Sequence, residues 1–253
     1  AFIAVFFGLV MIWNYRINRI KKKEEEKRKI GAKIAELETK ALQAQMNPHF
    51  IFNSLNSIQT YILNDETDKA LSYLADFSKL VRTTLDYINK KQITINEEIQ
   101  YLENYIELEK ERFSLDLKSE FIISDELDPE IDKTPPMLLQ PLVENSIKHG
   151  FITKNRNNKI KVEFKLTSPG ILKCTVEDNG IGRAESTKLN SSNKNTNRES
   201  LGLKIIEERL KHQNKDGIKQ KTLIIKDLLD ENGKPAGTRI DLYISRKESE
   251  ADL

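Results

Sequence analysis

The chain has 253 residues, with 41 basic and 39 acidic side chains and a net charge of +2, so it lacks the strong positive bias of a dedicated nucleic-acid binder and no direct nucleic-acid contact is expected. Charged residues make up 32% and hydrophobic ones 38%, which suits a soluble, helix-rich protein with one sizeable core or two small ones. The lone cysteine, Cys174, excludes an intramolecular disulfide and a zinc cluster, and its place in an apolar alternating stretch makes it a core residue.

The run AFIAVFFGLVMIW at residues 1–13 is uncharged, and Arg16, Arg19, Lys21, Lys22 and Lys23 follow at once. At about 1.5 Å per residue it reaches roughly 20 Å, short of a ~30 Å hydrocarbon core. A signal peptide carries its positive charge before the apolar run rather than after it. With Trp13 and Tyr15 where an interfacial aromatic belt belongs, the expectation is the end of a transmembrane helix over 1–17. The basic cluster then puts residues 18–253 on the cytoplasmic side of a bacterial inner membrane. The charge run KKKEEEKRK (21–29) predicts a solvated helix. The spacing of Ile30, Ile34, Leu37, Ala41 and Ala44 predicts a coiled-coil linker over 18–44.

Two further seams, Ile51, Leu55, Ile58, Ile62 and then Leu71, Leu74, Phe77, Val81, Leu85, Ile88, predict a helical hairpin about the turn at 64–67. Asn96 reads as the N-cap of another helix, with Glu97 and Glu98 in its first turn and Ile99, Leu102, Ile106 and Phe113 on its apolar side. No strand signal occurs through 45–113, so residues 45–115 form an all-α domain. With the first seam near 0°, His49 falls at about 160°, Asn56 at about 140°, Thr60 at about 180° and Asn53 at about 200°. The histidine therefore lies on the polar face, and an exposed imidazole is partly neutral at pH 7 and nucleophilic.

Beyond Asp116 the pattern becomes α+β. Strands are predicted at Phe121–Ile123, around Ile160–Leu166 and Ile171–Val176, and over 223–229 and 238–245, with helices at Met137–His149 and Leu203–His212. The Asn/Ser-rich stretch 183–200 reads as a mobile loop. Three stretches carry possible chemistry. In Asp178-Asn179-Gly180-Ile181-Gly182 the carboxylate can accept from an amino group, and the glycines permit close approach or positive φ. Such a turn is by itself a weak signal. In Glu144–Gly150, Asn145, Lys148 and His149 share one helix face; an amide oxygen suits Mg²⁺ and a lysine suits phosphate. His149 reads equally well as a helix C-terminal histidine stabilised by the dipole. Ser200-Leu201-Gly202-Leu203 opens a helix whose free N–H groups suit phosphate. Gly237-Thr238 begins the last strand.

In order and spacing these stretches resemble the N, G1 and G2 boxes of the GHKL superfamily (gyrase, Hsp90, histidine kinase and MutL), over residues 118–245. The resemblance implies a GHKL (Bergerat) α+β sandwich over 116–248 that binds ATP and Mg²⁺. Asn145 would carry the metal, Asp178 would read adenine, and Gly180 and Gly182 would border the base. Lys148, His149, Leu203 and Thr238 complete the implied nucleotide site, and Gly202 would contact phosphate under a lid formed by 183–200. Gyrase and Hsp90 have a general-base glutamate where this chain has Pro141, so direct hydrolysis is not the implied reaction.

QMNPHFIFNSLN (45–56) and PPMLLQPLVENSIKHGF (135–151) resemble the phosphoacceptor and N boxes of the LytS-type sensor histidine kinases, with His49 and Asn145 standing 96 residues apart. This second resemblance covers about 40–245. It implies a homodimer through 45–113 and autophosphorylation of His49. Transfer to an aspartate of a response regulator, in this family often one with a LytTR domain, would follow. The acidic residue that directly follows the histidine in many histidine kinases is replaced by Phe50, and Asn53 is the nearest polar candidate to orient the ring. Three alternatives stay open: a serine kinase of the anti-sigma type, a GHKL ATPase disfavoured by Pro141, and a catalytically silent dimeric scaffold.

Overall fold

Helix α1 runs unbroken over Phe2–Gln43. The segment holds no proline and only two glycines, Gly8 and Gly31, among many strong helix formers. The apolar run expected to end a membrane span is the beginning of this helix. No helix among the described residues is long and apolar enough to cross a membrane. The computed structural model describes residues 2–43, 48–88, 90–151, 157–168, 170–190, 203, 206–211 and 222–245. It divides into two compact units, 1–82 and 83–253.

In the first unit, α2 (Pro48–Leu63) and α3 (Thr67–Ile88) form the predicted hairpin. Proline suits the first turn of α2, where its missing N–H has no partner to lose. The turn is closed by Asp65 at φ +62° and by a bond from Glu66 N to Tyr61 O, a left-handed cap that satisfies the last carbonyls of α2. Ile51, Leu55 and Ile58 are buried as the seam requires, and Phe50 packs its ring 6.0 Å from that of Phe77. On α3 the buried face is broader than the predicted one: Tyr73 and Leu80 are buried, whereas Leu71 stays exposed.

The second unit begins within α3. Its first strand, β1 (Ile93–Thr94), is a correction to the all-helical reading of 45–113; it pairs antiparallel with β3 (Lys133–Thr134). Helix α4 (Ile95–Phe113) starts two positions earlier than predicted, capped by Thr94 rather than Asn96. Thr94 Oγ1 accepts from Glu97 N at 3.1 Å, and Glu97 Oε2 accepts from Thr94 N at 2.8 Å, a reciprocal capping box. Strands β2 (Leu117–Ile123), β4 (Asn158–Ser168), β5 (Ile171–Asp178), β6 (Leu223–Leu229) and β7 (Pro235–Ser245) form one sheet in the order β2-β4-β5-β7-β6. Only β2 and β4 are parallel.

Register lines up the inward side chains in rows: Phe164, Cys174, Leu242 and Leu223, then Val162, Val176, Ile240 and Ile225. The first three members of each row are buried. Cys174 is thus a core residue, its thiol pushed well up by burial. The predicted helix at 137–149 is shorter and of mixed type. Helix α5 spans Gln140–Asn145 with Pro141 in its first turn, and a π-helical turn Ser146–Gly150 follows. The loop predicted from residue 183 is in its first part a helix, α6 (Gly182–Asn190), opened by Gly182 at φ +75°. Residues 206–211 are helical, with Ile206 and Leu210 buried.

Candidate functional site

Continuing the inward rows to the end of the sheet puts Ile160, Asp178, Thr238 and Asp227 in one line. The alternation that buries Leu172, Cys174 and Val176 therefore places a carboxylate on the core side, where β5 ends. Asp178 is 6% exposed. Burial pushes its carboxyl upward, opposed by the Gly180 N–H on Oδ1 (2.9 Å), the Ser146 hydroxyl on Oδ2 (2.9 Å) and the Thr238 N–H. Three donors on about four lone-pair sites leave the carboxylate capacity for a further donor.

Two glycine contacts hold this end of the unit together. A Cβ on Gly180 would lie 2.5 Å from Gly150 O, and Ile181 N donates to that same carbonyl at 2.9 Å. The β5–α6 turn and the end of the π-turn therefore interlock backbone to backbone. Gly237 has φ +139°, and a Cβ there would lie 1.9 Å from Asp178 O. Thr238 can then stand directly across from Asp178.

Around Asp178 a cavity of about 260 Å³ opens. Leu142, Asn145, Ser146, His149 and Gly150 form one wall; Ile225, Thr238 and Ile240 form the sheet floor; Gly182, Arg183, Ser186 and Thr187 of α6 form a second wall, beside Leu203. Six of the sequence-predicted residues thus meet: Asn145, His149, Asp178, Gly182, Leu203 and Thr238. Two others do not. Lys148 is not in the cavity lining; it pairs with Glu144 and faces the field of Glu109 on α4. Gly180 serves the contact with Gly150 rather than the cavity wall. Gly202 and 191–201 lie outside the described residues.

Sequence reading missed Arg183, Ser186 and Thr187 because α6 was taken for loop; their spacing of three and four puts them on one helix face. Arg183 is fixed by a fork-to-fork pair with Asp227, Nε to Oδ1 and Nη2 to Oδ2, each 2.7 Å. That pair holds the Asp227 carboxyl below its usual range. The result is a mostly apolar cleft with one buried carboxylate and one guanidinium at its wall. It suits a flat heterocycle carrying an amino group and an anionic tail.

His49 is the second residue of α2. Its side-chain environment lies outside the described residues. Of its expected companions on the polar face, Asn56 and Thr60 are exposed and Asn53 is half-buried.

The sequence profile described as "Histidine kinase" matches residues 37–117, and the profile described as "Histidine kinase-, DNA gyrase B-, and HSP90-like ATPase" matches 134–248. Sensor protein LytS of Staphylococcus epidermidis is 36% identical over 152 residues, covering 60% of this chain and 25% of that protein. LytS of Streptococcus agalactiae is 39% identical over 163 residues, covering 64% and 26%. The YwpD protein of Bacillus subtilis is 34% identical over 177 residues, covering 70% and 62%. The chain therefore spans about a quarter of the LytS proteins it matches. Among solved structures, the histidine kinase domain of the Erythrobacter litoralis blue-light activated kinase aligns over 87% of this chain and 93% of its own, with 13% identity and a TM-score of 0.43. Matched by a kinase profile across its helices and an ATPase profile across its sheet, with LytS relatives at more than a third identity, the chain belongs to the LytS-type sensor histidine kinase family.

Proposed function

We propose that this chain is the kinase part of a two-component sensor: it binds ATP in the cavity beside Asp178 and transfers the γ-phosphoryl group to His49. The observation that carries the reading is the convergence of Asn145, Asp178 and Thr238, from three separate stretches, on one cleft. Asp178 accepts from the adenine amino group through its remaining lone pairs, while Leu142, Ile225 and Ile240 flank the ring. The Asn145 amide oxygen holds Mg²⁺, which neutralises charge on the phosphates when bound. Pro141, in the first turn of α5, leaves no carboxylate where the hydrolytic branch keeps its base, so the acceptor is a side chain rather than water.

At His49 a ring nitrogen lone pair forms the N–P bond as the bond from phosphorus to the ADP oxygen breaks. The other ring nitrogen then sheds its proton. Asn53, one turn on, orients the imidazole. The phosphoryl group passes next to an aspartate of a response regulator, of LytTR type in this family. The chain works as a homodimer through 45–113: Phe52, Leu63 and Leu71 remain exposed on α2 and α3, apolar surface that a second copy would cover. The apolar run 1–13 followed by its basic cluster supports attachment to the membrane, with the rest on the cytoplasmic side.

Labelled ATP is the test. Wild-type chain is expected to form an acid-labile, base-stable phosphoprotein, and His49→Gln to form none while binding ATP as before. Asp178→Asn should lose ATP binding itself. Label persisting in His49→Gln would remove His49 from the reaction.

A further inference from the structure

Met137 lies in the left-handed region, at φ +52°, three residues before α5. Nothing local favours this. Pro135 and Pro136 before it hold their own φ negative, and a side chain with a Cβ disfavours the left-handed well. Two distant side chains supply the reason. From α4, the buried Glu98 carboxylate accepts the Met137 N–H at Oε2 (2.8 Å) and the Leu139 N–H at Oε1 (3.3 Å). From the helix at 206–211, Arg209 donates through Nη2 to Pro136 O (2.7 Å) and through Nη1 to Met137 O (3.4 Å). One charge takes the N–H groups of the turn and the opposite charge takes its carbonyls. The two also attract each other across it: the Glu98 charge offsets the downward pull of burial on the Arg209 guanidinium.

Neither residue lines the cavity that holds Asn145, yet the turn they grip leads directly into the helix that ends at Asn145. We infer that Glu98 and Arg209 are positioning residues for the nucleotide site, clamping the Pro136–Leu139 turn in its left-handed shape and so setting where α5 delivers Asn145. The inference rests on the ATP-binding reading above. Its consequence is selective. Of the three donors to Asp178, only Ser146 rides on the α5 segment, while Gly180 and Thr238 come from other elements, so loosening the clamp disturbs the metal–phosphate end of the site more than the adenine end.

The test uses the full chain and compares Glu98→Gln, Arg209→Met and the double variant Glu98→Gln with Met137→Gly. Glutamine keeps one acceptor and turns an NH₂ toward the second backbone N–H. Methionine keeps the length of arginine without its donors. Binding of ATP with Mg²⁺ is expected to weaken at least tenfold in each single variant, while binding of adenosine without metal changes by less than threefold. Adding Met137→Gly should recover at least threefold, because glycine adopts the left-handed shape unaided. Circular dichroism shows which variants fold, and if Glu98→Gln does not, Arg209→Met carries the comparison. Binding of Mg²⁺–ATP within twofold of wild type in the folded single variants overturns the clamp. So does equal loss of both ligands, or no recovery in the double variant. Wild-type chain that binds no ATP would instead remove the nucleotide reading, and the clamp's role with it.

Discussion

Asp178 and Glu98 are both carboxyls taken out of water, and burial pushes both upward, but their surroundings answer differently. Asp178 has a hydroxyl and two backbone N–H groups opposing that push and faces a cavity, so it can still accept from a ligand. Glu98 is closed off entirely, with N–H donors from the Pro136–Leu139 turn and the field of Arg209 pulling downward, and it titrates near neutrality, pushed up to about 7 from an ordinary 4.5. The sign of its linkage follows. Between those two values the folded chain holds a proton that the unfolded chain has lost, so stability falls as pH rises from about 4.5 to 7 and is flat in this group's contribution above 7. The span is at most about 3.5 kcal/mol at ~1.4 kcal/mol per unit. Urea unfolding of wild type and Glu98→Gln at pH 5, 6, 7 and 8 measures it. The difference between the two should change steadily up to pH 7 and then stop, and a difference constant over the whole range would remove Glu98 as the titrating group.

At the scale of elements, what could be read depended on whether periodicity had room to show. Strands β4 and β5 were legible from their alternation, β6 and β7 as apolar runs on either side of the Asn232-Gly233 turn, and α2 from a seam of which three of four positions are buried. The pair β1–β3 has two residues on each side, too few for any period. Helix α6 carries only Ala184 and Leu189 as apolar residues, so nothing marked it off from the polar stretch that follows. The start of α5 was misplaced because the Met137 conformation is imposed by Glu98 and Arg209, which stand 39 and 72 residues away along the chain. The cavity was legible where one motif supplied its wall and illegible where α6 did. The cap of α4 was misread by two residues: Asn96 bonds Glu130 through its side chain (Nδ2 to Oε1, 2.6 Å), whereas Thr94 holds the capping box. Thr94→Ala should cost about 1 kcal/mol of stability, and Asn96→Ala less, since an exposed side-chain pair contributes little. Denaturant midpoints decide between them, and an equal or larger loss at Asn96 would contradict the cap assignment.

Taken whole, the chain carries its proposed nucleophile and its proposed nucleotide cavity in different compact units, His49 in 1–82 and the cavity in 83–253. Each unit has its own buried core, one built on Phe50, Ile58 and Phe77, the other on Leu102, Phe164 and Leu242. Unfolding of such a chain need not be two-state. The proposed roles then separate the transitions by what moves them. ATP binds only the folded second unit and adds RT ln(1 + [L]/Kd), about 2.7 kcal/mol at a hundredfold excess over Kd, to that unit alone. The apolar surface that a second copy would cover, Phe52, Leu63 and Leu71, lies in the first unit, so that transition should climb with protein concentration instead. Calorimetry over a hundredfold range of protein, with and without Mg²⁺–ATP, is expected to show one transition that follows the nucleotide and another that follows concentration. Replacing exposed Phe52 with aspartate should abolish the concentration dependence while leaving the nucleotide shift in place, because Phe52 belongs to the first unit and Asp178 and Asn145 to the second. A single transition answering to both variables would mean that the helices and the sheet fold as one cooperative body.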